Sequence, residues 1–262
     1  MNVGVIDQLW RFPVKSMQGG RVEAFGCTGA CPDDRMWAVV AVDGSRVLSA
    51  KRHPTLLEAA AALDDATGVI TITLPDGSTH QAGDPATDAA LSAWLDLDVR
   101  LAPRPPVDEP SPHYDMSVDP TDDTAAGFTF AGPPGTWVDL AAGHLLTTAS
   151  LRAARELYPA GAWDVRRFRP SALLDLDAGL QGFVEDAWVG GSVALGAEVV
   201  MTPFMPTIRC AMPTRAQPGL DRDADISRTL RDHHGHNLGI YCAIERPGTL
   251  RVGDAVVVTL PS

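Results

Sequence analysis

Cysteine is scarce in this chain, with 4 among 262 residues, too few for the disulfide framework of a small secreted domain. Cys27 and Cys31 stand in a C-x-x-x-C spacing, and Cys242 is isolated within an expected strand. A zinc site made of cysteines wants tighter pairs and an iron–sulfur centre wants four clustered thiolates, so neither is expected. Long apolar runs are missing too, since none approaches the roughly 18 residues that span a bilayer. The opening residues lack the basic, apolar, then small-residue succession of a secretory signal. These shortages lead to the expectation of a reducing cytoplasm and no membrane partner. Positive charge is in deficit, with a net charge of -12. Without a basic footprint, neither nucleic acid nor an anionic membrane surface is an expected partner. No Gly-x-Gly-x-x-Gly turn opens a βαβ unit and no Gly-x-Ser-x-Gly turn occurs, which argues against a nicotinamide site and a hydrolase nucleophile.

What remains is the composition of an ordinary soluble globular protein, 45% hydrophobic and 21% charged. The length accommodates one large domain or two smaller ones. Residues 3–12 alternate as an opening strand. Residues 36–42, Asp43-Gly44 and residues 45–49 read as a hairpin, because Asp-Gly supplies the positive φ of a tight turn. Residues 69–74 and 78–81 read as a second. The alanine-rich residues 56–63 predict a short helix, and residues 88–95 another, with Leu91, Trp94 and Leu95 on one face. From 102 to 134 the composition changes, with prolines at 103, 105, 106, 110, 112 and 120 among Asp, Ser and Thr. That is the mark of a linker or long surface loop that packs little of its own, and a domain boundary is expected inside it. Beyond it, residues 147–157 predict a helix opened by a hydroxyl cap. Strands are expected at 172–176, 192–201, 238–244 and 250–260. Short strands between Gly and Pro turns, with a few helices, predict a β-rich α+β chain of two β-barrel-like domains rather than a doubly wound sheet.

The most informative residue is Cys210, in the run Pro206-Thr-Ile-Arg-Cys-Ala-Met-Pro-Thr214. Arg209 precedes it, and a run holding Arg166, Arg167 and Arg169 lies earlier. Fixed positive charge favours a thiolate, which is the nucleophilic and metal-binding form. The alternative is a buried cysteine packed as a small hydrophobe. Lys15 and Ser16 follow the opening strand, and Arg35 precedes another. Arginine forks and hydroxyls suit a phosphate, and lysine serves one as a point charge. The alternative is surface pairing with some of the 33 acidic residues. His233, His234 and His236 could hold a divalent ion, but no carboxylate or thiol at a helpful spacing completes a site. A solvated helix end, with histidines near the negative pole of the dipole, is the stronger reading.

Taken together, LWRFPVKSM, DRMWAVV, LSAKRHP, RRFRPSALLD, EDAWVGGSVALG, IRCAMPT and PGTLRVGDAVVV resemble the MOSC proteins that carry an N-terminal β-barrel MOSC-type domain ahead of the MOSC domain. The amidoxime-reducing components and their bacterial relatives have this layout. The segments run in order over nearly the whole chain. The resemblance implies an N-terminal MOSC-type β-barrel domain over residues 1–105, a proline-rich linker or loop over 106–134, and a MOSC domain over 135–262. It implies a molybdenum cofactor, in which the metal sits on a pyranopterin dithiolene, with Cys210 as the protein's metal ligand. Contacts to the cofactor's phosphate and pterin would fall on Lys15, Ser16, Arg35, Thr147, Arg169 and Tyr241. Arg209 and Thr214 flank the ligand. Ser171 stands where the family usually has Asn after the Arg-Pro pair, a shorter side chain that offers fewer hydrogen bonds.

The implied activity is reduction of an N-hydroxylated small-molecule substrate, with electrons from a separate ferredoxin- or cytochrome-type protein. Two alternatives stay open. In one, Cys210 carries a persulfide for sulfur transfer or carbon–sulfur bond chemistry. In the other, the chain is a molybdenum cofactor carrier without catalysis.

Overall fold

The computed structural model describes residues 1–27, 33–43, 46–109, 113–117 and 127–261. The chain opens with β1 (Asn2–Arg11), β2 (Gly20–Val22), β3 (Ala24–Cys27) and β4 (Trp37–Ala41). A 3-10 turn (Pro54–Glu58) then leads to β5 (Ala60–Leu63), β6 (Ile70–Thr73), β7 (Thr79–Gln81), the helix α1 (Pro85–Leu95) and β8 (Val99–Pro103). Here β4 pairs with β8, and β5, β6 and β7 form an antiparallel sheet. The core between them holds Val14, Val39, Leu56, Ile72, Leu91 and Leu101. The hairpin expected at 69–81 forms as β6 and β7. In the earlier one Val40 bridges Val47, while the turn at Gly44 and Ser45 lies outside the described residues. Of the helix expected over 56–63, only residues up to Glu58 are helical, as the end of the 3-10 turn, and Ala60–Leu63 form β5. Pairing of Ala60–Leu63 with Ile70–Thr73 holds them extended, and tertiary pairing outweighs alanine's modest helix preference.

The second part adds β9 (His113–Ser117), β10 (Gly127–Ala131), β11 (Gly143–Thr147), the helix α2 (Thr148–Leu157) and β12 (Ala172–Leu176). It ends with β13 (Ser192–Leu195), β14 (Val199–Ile208), the helix α3 (Asp225–His234), β15 (Asn237–Arg246), β16 (Gly248–Arg251) and β17 (Ala255–Thr259). The runs expected as single strands at 192–201 and 250–260 are each two strands joined by a turn. Strands β9 and β10 pair inside the proline-rich stretch, and Tyr114 on β9 is fully buried. That stretch therefore packs more than its composition suggests.

Strands β12, β11, β15, β14, β13 and β17 follow one another in a sheet, and β1 pairs with both β17 and β12. The result is a closed barrel whose last stave is the first strand of the chain. Closure leaves no exposed edge among these staves. Val3, Ile6 and Leu9 of β1 point inward, three apart instead of two, because register shifts fall between Asn2 and Gly4 and between Ile6 and Gln8. They meet Leu145, Leu174, Val193, Met201 and Ile240 in the core. The parallel neighbours β11 and β12 are joined through α2, as a crossover requires. No helix among the described residues is long and apolar enough to cross a membrane.

Candidate functional site

A cleft lies between the smaller β layer and one end of the barrel. Lys15, Ser16, Arg35, Arg169, Ser171, Arg209, Cys210 and Tyr241, scattered through the sequence, all line it. Thr147 and Thr214 do not. The Thr147 hydroxyl accepts from the Ser150 amide at 3.0 Å as the cap of α2 and donates to Glu185 Oε2 at 2.8 Å. Thr214 donates to the Ala211 carbonyl at 2.8 Å. Both are fully buried, so these hydroxyls serve the fold.

The local backbone explains why the others converge. Strand β14 carries Pro203 and Pro206, each beside a register shift against β15, and proline is tolerated in strands at such irregularities. The strand ends at Ile208 and delivers Arg209 and Cys210 to the cleft mouth. Lys15 and Ser16 sit in the turn after β1, where the Lys15 amide donates to the Trp37 carbonyl at 2.8 Å. Ser16, Arg35 and Arg169 have φ of 68°, 48° and 54°. Non-glycine residues in this left-handed region cost about 1–3 kcal/mol each and gather at functional sites. A fourth, His236, with φ of 65°, accepts the Arg209 amide at 2.8 Å.

The cleft is cationic within an acidic chain. Sequence reasoning missed Lys51 and Asp139. Asp139 Oδ1 lies 2.6 Å from Lys15 Nζ and its Oδ2 lies 2.7 Å from Lys51 Nζ, with both lysine side chains at 7% exposure or less. Burial would raise the Asp139 carboxyl, but the two ammonium groups hold it well below the usual range. Burial pushes Lys15 down to about 8 against the pull of Asp139. Burial also lowers Lys51, but Asp139 and then Cys210 outweigh it and the net direction is up. A composition count could have found Lys51, because the chain has two lysines in all and both are on Asp139.

Arg35 pairs with Asp34 and donates to the Arg169 carbonyl at 3.2 Å. Arg169 donates to the Met17 carbonyl at 2.7 Å, tying the two parts of the chain together. Its Nη2 and the Nε of Arg209 are buried with no hydrogen-bond partner among the described residues. Of the neighbouring arginines, Arg166 pairs with Asp164 and Arg167 donates to the carbonyls of Ala162, Pro213, Arg215 and Asp221. Those two are structural.

His144 was also missed. Burial, then Arg209, pushes it well below its ordinary value, so the ring is neutral. Its Nδ1 faces the Arg169 carbonyl and its Nε2 faces Arg209 Nη1, both at 3.4 Å. The matching tautomer carries the proton on Nδ1 and accepts at Nε2. A Cβ on Gly239, whose φ is +81°, would stand 2.7 Å from Nε2, so only glycine lets β15 pass this ring. Tyr241 packs at 5.6 Å from His144. Burial pushes its hydroxyl up to about 12 although Arg209 opposes this. Ser171 Oγ accepts from the His144 amide at 3.3 Å.

Cys210 is half-buried at this cleft, whereas Cys27 and Cys242 lie in the barrel core. Burial raises both core thiols, Cys27 to about 12. Cys31 falls outside the described residues. The histidine cluster lies at the end of α3, where His234 stacks on Phe183 at 3.6 Å and its Nε2 sits 2.6 Å from Asp186 Oδ2.

Residues 3–95 match the MOSC N-terminal beta barrel domain and residues 136–257 match the MOSC domain. The chain is 27% identical to mitochondrial amidoxime-reducing component 1 of Mus musculus, over 97% of this chain and 82% of that protein. The crystal structure of the YUAD protein from Bacillus subtilis is similar in fold, with a TM-score of 0.51 and 10% identity. That likeness covers 100% of this chain and 98% of the other. Strands β9 and β10 lie between the two matched spans.

Proposed function

Because the chain belongs to the MOSC family, with the N-terminal barrel domain ahead of the MOSC domain, we propose that it is a molybdenum-cofactor-dependent oxidoreductase. Its substrates are N-hydroxylated small molecules, and Cys210 is the protein ligand to the metal. The observation that carries this reading is the half-buried Cys210 in a cleft with five basic side chains on a chain of net charge -12. The residues fit such a group. A thiolate suits a soft metal, and the unpartnered donors of Arg169 and Arg209 suit an acceptor-rich anion. The similarity to an amidoxime-reducing component supports the substrate class.

Lys15, Lys51, Arg35 and Arg169 would hold the cofactor's phosphate, with Ser16 beside them, and Arg209 and Tyr241 would contact the pterin. When bound, the cofactor supplies the two-electron redox chemistry. The overall conversion takes an N–OH group, two electrons and two protons to an N–H group and water. Tyr241 keeps its proton at neutral pH and remains a hydrogen-bond donor at the cleft. The Lys15 ammonium, 2.6 Å from Asp139 Oδ1, would face the anion as a charged hydrogen-bond donor. His144 stays neutral and, through its two ring nitrogens, keeps Arg169 and Arg209 in register. Electrons would come from a separate ferredoxin- or cytochrome-type protein in the cytoplasm, through a small and transient contact.

The test is molybdenum content and turnover of protein made in a cofactor-competent host, with reduced viologen and an N-hydroxylated amidine. About one molybdenum per chain and reduction of the amidine are expected, and Cys210→Ser should abolish the reduction while leaving the fold intact. Full activity in Cys210→Ser, or wild-type protein without molybdenum, would overturn the reading.

A further inference from the structure

The five basic side chains of the cleft share a second property. Lys15 Nζ lies 4.1 Å from the ring centre of Tyr114, and Lys51 Nζ lies 5.0 Å from that of Phe130. Arg209 stands 5.4 Å from Phe168. Arg35 and Arg169 stand 4.9 and 3.9 Å from one and the same ring, that of Phe12. Every cleft cation thus rests on an aromatic face.

Phe12 is the centre of this arrangement. It is buried directly after β1, and Trp10 stacks on it at 6.2 Å. Its amide donates to Asp34 Oδ1 at 2.7 Å, and its carbonyl accepts the Arg35 amide at 2.8 Å. Two guanidinium groups brought together repel, and Arg35 lowers the proton affinity of Arg169 after burial has already done so. A carboxylate beside Arg169 would offset that repulsion but would also compete with an incoming anion. An aromatic face attracts both cations through its quadrupole, and beside the ion pair of Arg35 with Asp34 it leaves the charge of Arg169 available to an anion.

We propose that Phe12 is a positioning residue of the anion site, whose ring holds Arg35 and Arg169 together for a phosphate-type oxyanion. This rests on the reading of the cleft as the seat of the cofactor's phosphate. Plain core packing is the competing role for a buried phenylalanine, and ring electronics separate the two. Stepwise fluorination weakens the quadrupole with little change in shape.

The experiment replaces Phe12 site-specifically with mono-, di- and trifluorophenylalanine in the full chain. Calorimetry reads binding of inorganic phosphate, fluorescence of released oxidised pterin reads cofactor retention, and thermal unfolding reads stability. Phosphate affinity and pterin retention should fall step by step, by about tenfold at the trifluoro ring, while the Tm stays constant. A flat series, or a loss of binding that follows a loss of Tm, would overturn the role of Phe12 and leave the anion site standing. Wild-type protein that binds neither phosphate nor cofactor would sink the anion site itself.

Discussion

Asp139 sets the charge of the cleft by standing between two ammonium groups and satisfying each with one oxygen. One carboxylate between two lysines leaves a net positive charge, which Arg169 and Arg209 increase. His144 is compatible with that charge only because it is neutral, and this gives the protein a pH signature. Unfolded, the imidazole takes up a proton near its ordinary value of about 6.5. Folded, burial and Arg209 prevent this. Below that pH the unfolded chain therefore binds one more proton, so the stability contributed by neutral His144 is present above about 6.5 and lost as the pH falls. The slope is at most about 1.4 kcal/mol per pH unit. His234 works in the opposite sense, since Asp186 and the Asn237 carbonyl raise it although burial opposes them. In urea unfolding between pH 7 and 5, His144→Asn should flatten the acid loss and His234→Gln should steepen it. An unchanged slope in His144→Asn would mean that the ring titrates in the folded state. Residues of this kind divide by how they can be read. Cys210 and Arg169 stand out because their neighbours in sequence are unusual. Asp139 and His144 owe their roles to partners distant in sequence, which no local pattern reveals.

At the scale of elements, the same contrast separates what local chemistry fixes from what pairing decides. The helix α2 was legible from its hydroxyl cap, and α1 from its apolar face, because both signals are local. Residues 192–201 read as one strand, yet Gly196 turns the chain between β13 and β14 with φ of +62°. Residues 56–63 read as one helix, yet the helical turn stops at Glu58 and β6 takes Ala60–Leu63 into a sheet. Thr147 was assigned to the cofactor in sequence, but its hydroxyl is taken up by the Ser150 amide and the buried Glu185 carboxylate. Losing such a cap costs about 1 kcal/mol, and removing a donor from a buried carboxylate adds a further penalty of about 1–3 kcal/mol. Thr147→Ala should therefore lower unfolding free energy by roughly 2–4 kcal/mol and leave phosphate affinity in calorimetry unchanged. A selective loss of phosphate binding at normal stability would return Thr147 to the site.

The whole molecule is organised by its first strand, which closes a barrel whose other staves all lie beyond the proline-rich stretch. A boundary in the proline-rich stretch separates β1 from the barrel it closes, because closure depends on β1 pairing with β12 and β17 rather than on any local cue. The same strand runs on to Phe12, Lys15 and Ser16, so barrel closure also carries part of the cleft into position. Residues 135–262 alone would leave β12 and β17 with open edges, which invite aggregation. They would also lack the buried side chains of Val3, Ile6 and Leu9. At about 1.5–3 kcal/mol for each buried aliphatic side chain, the loss approaches the total stability of a typical domain, about 5–15 kcal/mol. The fragment is therefore expected to lack a cooperative unfolding transition in urea. Chain direction suggests the repair. The Met1 amino group donates to the Val258 carbonyl at 2.7 Å, and β1 runs antiparallel to β17, so a short glycine–serine linker can carry the chain from the end of β17 back into β1. Appending residues 1–12 to the fragment in this way should restore a single cooperative transition. A fragment that unfolds cooperatively without them, at the same urea midpoint as the full chain, would show that β1 is dispensable to the barrel.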